Sequence, residues 1–234
     1  MTLLSSLKKL KSQSFCFGFD LDDTLIYEKE YVFSGFNEID LFLNKNDIQG
    51  KHFEYLIQSF EIGDKNPIKK LAEMVSFYDY KILVEVLRNH KPKITPIYGT
   101  LRFLQILASL KIQTFVISNG RSTTQRNKLK SSGLYQYFDF FIISEEVNAK
   151  KPNLSIFNEA EKKIKEKKVV FIGNNPELDL LPLIDQSELS REWFPVFLKS
   201  DSKMLVQYKF NGDLYLKSFQ EDNLEELIND LNHS

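Results

Sequence analysis

The chain is poor in every residue class that would set it apart from an ordinary globular protein. Cys16 is its one cysteine, which excludes an internal disulfide framework and a Cys-rich zinc site. Nine glycines and seven prolines among 234 residues are too few for a fibrous or disordered chain. Charge of neither sign dominates: 31 Lys+Arg stand against 32 Asp+Glu, a net charge of -1. That balance speaks against a general polyanion binder, which would be strongly basic. No apolar run approaches the roughly 18 residues needed to span a bilayer. In the opening stretch, Lys8, Lys9 and Lys11 interrupt the leucines before a secretory apolar core can form. The expectation is a cytoplasmic protein without nucleic-acid or membrane partners, a monomer or small homo-oligomer, whose first residues make a short amphipathic lead-in helix.

What the chain does have is apolar bulk in short pieces. Hydrophobic residues make up 42% of it, including 20 Phe and 10 Tyr, enough for a large aromatic core. Several runs stop abruptly at small or polar residues. Phe15–Phe19 ends at Asp20, Thr114–Ile117 at Ser118, Phe140–Ile143 at Ser144 and Val169–Ile172 at Gly173, and Phe194–Leu198 reads as a further strand. Continuous rather than alternating hydrophobicity suits strands buried on both faces of a parallel sheet. Helical patterns over 100–110, 123–131 and 153–165 lie between them. Strand–helix alternation predicts a doubly wound, Rossmann-like α/β core with right-handed crossovers. A last strand is expected near Asp213–Phe219 and a helix over 222–231.

One connection breaks that rhythm. From Tyr27 to Lys91 only helical patterns occur, such as Phe36, Ile39, Leu41, Phe42 and Leu43. About 60 residues are far more than a βα loop needs. The expected organisation is a core from 1–27 and 92–234 with an all-helical domain, 28–91, inserted after the first strand. Pro92 and Pro96 discourage helix at its exit. Nine basic against eleven acidic residues make it no basic patch. Phe33, Phe36, Phe42 and Phe53 read as its core. His52 and His90 lack ligand spacing and read as surface or capping residues, and Cys16 as an inert core thiol.

Ligands of doubly wound sheets bind at the carboxyl ends of the strands, so the residues following each run are the site candidates. They are Asp20, Asp22 and Thr24; Ser118, Asn119 and Gly120; Lys150 or Lys151 before Pro152; and Asn174 and Asp179 after Gly173. Carboxylates, a hydroxyl beside glycine and a lysine on one edge suit a metal ion plus a phosphate. Singly, each piece has a plainer reading: an Asx-capped turn, a Ser-Asn-Gly turn, a solvated lysine, an acid at a helix start. Four such pieces at strand ends in order argue together.

These residues resemble the haloacid dehalogenase superfamily of aspartate-nucleophile phosphatases. Phe19-Asp-Leu-Asp-Asp-Thr-Leu25 matches its first motif, Ile117-Ser-Asn-Gly120 the second, Lys151-Pro152 the third and Gly173-Asn-Asn-Pro-Glu-Leu-Asp179 the fourth. The insertion falls where the superfamily carries a helical, C1-type cap. Ile142–Val147 together with Gln125-x-x-Lys128-Leu129 is most similar to the pyrimidine 5'-nucleotidase branch. The resemblance implies a Mg²⁺-dependent phosphatase of a small phosphorylated metabolite, a nucleoside monophosphate or a sugar phosphate. Asp20 is then the nucleophile and Asp22 the proton donor and acceptor. Thr24, Ser118, Asn119, Gly120 and Lys151 hold phosphate, and Lys151 also acts in catalysis. Asp20, the Asp22 carbonyl, Asn174 and Asp179 bind the metal. Two alternatives stay open: a phosphomutase of the same superfamily or, because Asn174 departs from the usual aspartate, a non-catalytic phosphate-binding protein with a decayed metal site.

Overall fold

In the computed structural model, which describes residues 2–77, 79–184, 188–199 and 212–232, the short apolar runs form the strands of one sheet. They are β1 (Phe15–Phe19), β2 (Thr114–Ser118), β3 (Phe140–Ile143), β4 (Lys168–Gly173), β5 (Glu192–Leu198) and β6 (Leu214–Leu216). All neighbours pair in parallel, in the order β3-β2-β1-β4-β5-β6. Every residue of β1 and β2 is buried, because a parallel sheet joined by helical crossovers is covered on both faces. Pro195 has no N–H for the ladder. It lies opposite Phe171 of β4, one residue before the β6 pairing begins at Val196.

The helices are α1 (Leu3–Ser12), α2 (Glu28–Lys45), α3 (His52–Glu61), α4 (Pro67–Met74), α5 (Tyr80–Asn89), α6 (Thr100–Ser109), α7 (Ser122–Ser131), α8 (Ser144–Val147), α9 (Leu154–Glu161) and α10 (Glu221–Leu231). α1 is the expected lead-in helix. It buries Leu3, Leu7 and Leu10, and the Leu3 amide donates to Glu225 Oε1 of α10 at 2.7 Å. α9 ends earlier than the pattern over 153–165 suggests. Among the described residues no long helix stands between β4 and β5: a π turn (Pro176–Leu180) and a 3-10 turn (Leu181–Leu183) take its place, each with a proline in its first turn.

Side-chain alternation along β1 divides the core in two. Cys16 joins Phe115, Phe157, Phe171 and Trp193 on one face. Phe17 and Phe19 meet Phe103 at centroid distances of 5.6 and 6.3 Å on the other. Burial pushes the Cys16 thiol well above its ordinary pKa, which keeps it a neutral, inert core group.

The chain divides into two compact units, Met1–Tyr27 with Thr95–Ser234, and Glu28–Ile94. The second is all helical, α2 to α5, with Phe36, Ile39, Leu43, Leu56, Leu71 and Leu83 at its centre. Phe33, Phe42 and Phe53 pack around that centre, so these phenylalanines belong to its core as expected. Of the two histidines expected at the surface or in capping roles, His90 caps α5, and neither lies at the surface. Both are buried: His52 Nδ1 sits 3.1 Å from Asp40 Oδ1, and His90 caps α5 with its ring against the Leu87 carbonyl.

Candidate active site

Strand order reverses between β1 and β4, with β2 on the other side of β1, and the crevice at such a switch point is where doubly wound sheets hold ligands. The Asp20 amide donates to the Ile172 carbonyl at 2.9 Å, which extends the β1–β4 ladder by one residue and fixes the Asp20 backbone. The chain then turns sharply. The Leu21 carbonyl accepts from the Leu25 amide at 2.9 Å, Asp23 takes a left-handed φ of 55°, and its amide donates to the Ile26 carbonyl at 2.7 Å.

Asp20 is 7% exposed and Lys151 3%. Lys151 Nζ lies 2.5 Å from Asp20 Oδ1 and 2.6 Å from Asp179 Oδ1. It bridges the two carboxylates, whereas Lys150 is exposed. Asp179 Oδ2 accepts the Asn175 amide at 3.0 Å. One lysine for two buried carboxylates leaves an excess negative charge. Burial, opposed by Lys151 and reinforced by Asp179, accordingly pushes the Asp20 carboxyl up to about 7. Burial works against the Lys151 charge too, but Asp179 and Asp20 outweigh it and hold its pKa above the ordinary value.

Thr24 is fully buried and its Oγ1 lies 3.3 Å from Asp20 Oδ2 and 3.4 Å from Asn174 Oδ1. It is a strut beneath the nucleophile candidate rather than a group with its own open face. Asn119 is likewise occupied. Its Oδ1 accepts the Lys151 amide at 2.8 Å and its Nδ2 donates to the Lys151 carbonyl at 3.0 Å, so it fastens the β2 loop to the lysine's backbone. The Gly120 amide donates to Ser144 Oγ at 2.9 Å. Ser118 Oγ, at the end of β2, accepts from Gln125 Nε2 at 2.6 Å.

Asp22 departs from its sequence neighbours. Its Oδ1 meets Lys128 Nζ at 2.7 Å and its Oδ2 accepts from Gln125 Nε2 at 2.8 Å. Gln125 and Lys128 belong to the site although motif reading gave them no role there. A signal existed: on α7 the buried positions are Gln125, Lys128 and Leu129, a helical stripe at i, i+3 and i+4 that faces inward while being mostly polar.

Two carboxylates and an amide oxygen therefore gather at the ends of β1 and β4. Asp20 Oδ2 and Asn174 Oδ1 both face Thr24 through long hydroxyl contacts only, so their lone pairs remain available to a hard cation. No group of three or more His, Cys, Asp or Glu suited to a metal occurs among the described residues, because an amide and a lysine fill places here. An oxygen donor set of this kind fits Mg²⁺, which prefers few protein ligands and keeps several waters.

A sequence profile described as "Haloacid dehalogenase-like hydrolase" matches residues 18–181. The chain is 27% identical over 187 residues to a glyceraldehyde 3-phosphate phosphatase of Methanocaldococcus jannaschii, covering 70% of this chain and 78% of that one. It is 37% identical over 91 residues to pyrimidine 5'-nucleotidase YjjG of Escherichia coli, covering 37% and 40%. Among solved structures, magnesium-bound YfnB of Bacillus subtilis superposes with a TM-score of 0.60 at 19% identity, covering 94% of this chain and 99% of that one. At such identity the likeness is one of fold.

Proposed function

The chain belongs to the haloacid dehalogenase-like hydrolase family and is a phosphatase of it, and from that premise we propose a magnesium-dependent phosphomonoester hydrolase that works through an aspartyl phosphate on Asp20. The observation that carries this reading is the buried Asp20–Lys151–Asp179 bridge. It holds a carboxylate oxygen at the strand end, where an incoming phosphoryl group meets the second-motif hydroxyl and the lysine together. Asp20 attacks phosphorus in line, and the bond from phosphorus to the leaving oxygen breaks. Asp22 gives its proton to that oxygen, then takes one from the water that hydrolyses the acyl phosphate. Ser118 and Lys151 hold the transferring oxygens. Asp20, Asn174 and the Asp22 carbonyl would hold Mg²⁺, with Asp179 behind them. Bound there, the ion offsets the repulsion between carboxylate and phosphate.

The Thr24 and Asn119 side chains support this site, the first beside Asp20 and the second on the Lys151 backbone. The substrate class is a small phosphorylated metabolite; triose phosphates and nucleoside monophosphates are the first to try, given the named activities of the two relatives. The helical unit Glu28–Ile94 is read as the C1-type cap, and no membrane-crossing helix occurs among the described residues.

Hydrolysis of p-nitrophenyl phosphate with Mg²⁺, abolished by EDTA and by Asp20→Asn, is the expected result. Binding of phosphate without turnover of any ester would instead favour a decayed site. Asn174→Asp adds a ligand charge and should lower the magnesium concentration for half-maximal activity by roughly tenfold. An unchanged requirement would show that the amide is not the weak ligand.

A further inference from the structure

We propose that Gln125 and Lys128 are positioning residues that set the carboxylate of Asp22 for proton transfer and couple it to Ser118. The proposal rests on the phosphatase reading above and assigns to α7 a part in the reaction that the four motifs do not.

A lysine is rarely fully buried unless it is paired, and Lys128 is 3% exposed. Its partner is Asp22 Oδ1, at 2.7 Å. The second oxygen of the same carboxylate is taken by Gln125, itself 2% exposed. A single donor would locate one oxygen and leave the carboxylate free to rotate about its last bond. Two donors from successive turns of one helix fix the plane as well. The clamp is buried while the Asp22 side chain keeps 22% of its surface exposed, so one edge of the carboxyl stays open to a reactant.

The Gln125 amide nitrogen also lies 2.6 Å from Ser118 Oγ and 3.1 Å from the Asn119 carbonyl oxygen. It has two hydrogens. With one on Asp22, the other serves the second-motif loop. The proton-transferring carboxyl and the phosphate-binding hydroxyl are thereby held by one planar group, and displacing either moves the other. The helix that carries the clamp is fixed in turn. Arg126 makes a two-pronged pair with Glu146 of α8 at 2.7 and 2.9 Å, and the Ser122 amide donates to Glu145 at 2.7 Å.

The two lysines divide the work. Lys151 answers Asp20 and Asp179, and Lys128 answers Asp22. Carboxylates two residues apart in sequence are thus kept on separate cations, which prevents Asp22 from competing for the bridge that orients the nucleophile.

The test compares full-length wild type, Lys128→Met, Lys128→Arg, Asp22→Asn and the double variant Asp22→Asn/Lys128→Met on two esters. One is p-nitrophenyl phosphate, whose phenolate leaves without needing a proton. The other is an alkyl phosphate such as glycerol 2-phosphate, whose alkoxide does need one. Proton transfer by a placed group contributes 10²–10⁴-fold. Lys128→Met should therefore lower kcat on the alkyl ester about 100-fold with KM within about threefold, and lower the nitrophenol burst rate less than about tenfold. Lys128→Arg should recover most of the alkyl activity. The double variant should be no slower than Asp22→Asn alone, because Lys128 acts through Asp22. Equal losses on both esters, or a double variant slowed by the product of the single effects, would overturn the proposal. Should Lys128→Met not fold, Lys128→Ala removes the same donor with a smaller side chain and is judged by the same ester comparison. Absence of turnover of both esters by the wild type would instead overturn the phosphatase reading, and this proposal with it.

Discussion

Asp20→Asn should stabilise the metal-free protein while abolishing its turnover. Burial raises the Asp20 carboxyl from 3.8 to about 7, and each pKa unit is worth 1.36 kcal/mol. A raised folded-state pKa means that the native state holds the proton where the unfolded chain has lost it. The associated stability is complete below the unfolded value, near pH 4, and is lost as pH rises through about 7. The full loss is about 4 kcal/mol, of which about 3 kcal/mol falls between pH 5 and pH 8. The substituted amide has no charge to desolvate, and Lys151 keeps Asp179 at 2.6 Å. The assay is thermal melting in EDTA at pH 5 and pH 8, followed by a probe of the sheet-bearing unit. Other groups titrate in both proteins, so the quantity read is the difference between them. At roughly 2–4 °C per kcal/mol for a chain of this size, the variant should gain about 6–12 °C on the wild type between the two pH values. Mg²⁺ at pH 8 should lift the wild type and leave the variant nearly unmoved, through preferential binding to the folded state. Parallel melting curves across that pH range would refute the reasoning, because they would mean that Asp20 carries no excess charge in the fold.

Two further outcomes follow from named contacts. Glu161 accepts from the Ser190 amide and hydroxyl, the Arg191 amide and Trp193 Nε1. Burial works against its charge, yet these donors hold the carboxyl below its ordinary pKa. Its stability is therefore present above the unfolded value near 4.5 and is lost as pH falls through the folded one. Glu161→Gln should cost about 1–3 kcal/mol at pH 7, with the gap in melting temperature closing toward pH 3; a constant gap would contradict the assignment. At Gly173 an added Cβ would stand 2.5 Å from the Asp179 Cβ and 2.6 Å from its Oδ2. Gly173→Ala should thus push Asp179 off Lys151 and slow turnover about 100-fold, as small misplacements do, without unfolding the sheet. Normal kcat in a folded Gly173→Ala protein would show that the bridge is not needed.

The chemistry-bearing strand ends were legible in the chain because a buried parallel strand announces itself by unbroken hydrophobicity and stops where the site begins. Phe15–Phe19 before Asp20, and Val169–Ile172 before Gly173, are such cases. The insertion was legible by length alone, since no crossover needs so many residues. The resemblance carried by Asp20, Ser118, Lys151 and Asp179 named a family, and the profile match agrees with it. Less visible was the burial of His52, a ring that pattern along the chain places at the surface or in a cap.

By itself, then, the sequence determined the order of strands and helices, the family, and which residues stand at the strand ends, because these depend on local pattern and on spacing along the chain. Tertiary structure alone decided which partners those residues take. Lys151 rather than Lys150 bridges Asp20 and Asp179, 131 and 28 residues away. Lys128 and Gln125 hold Asp22 from 106 and 103 residues away. Such pairings follow from burial, which forces each charged group to find a partner wherever the fold brings one within reach.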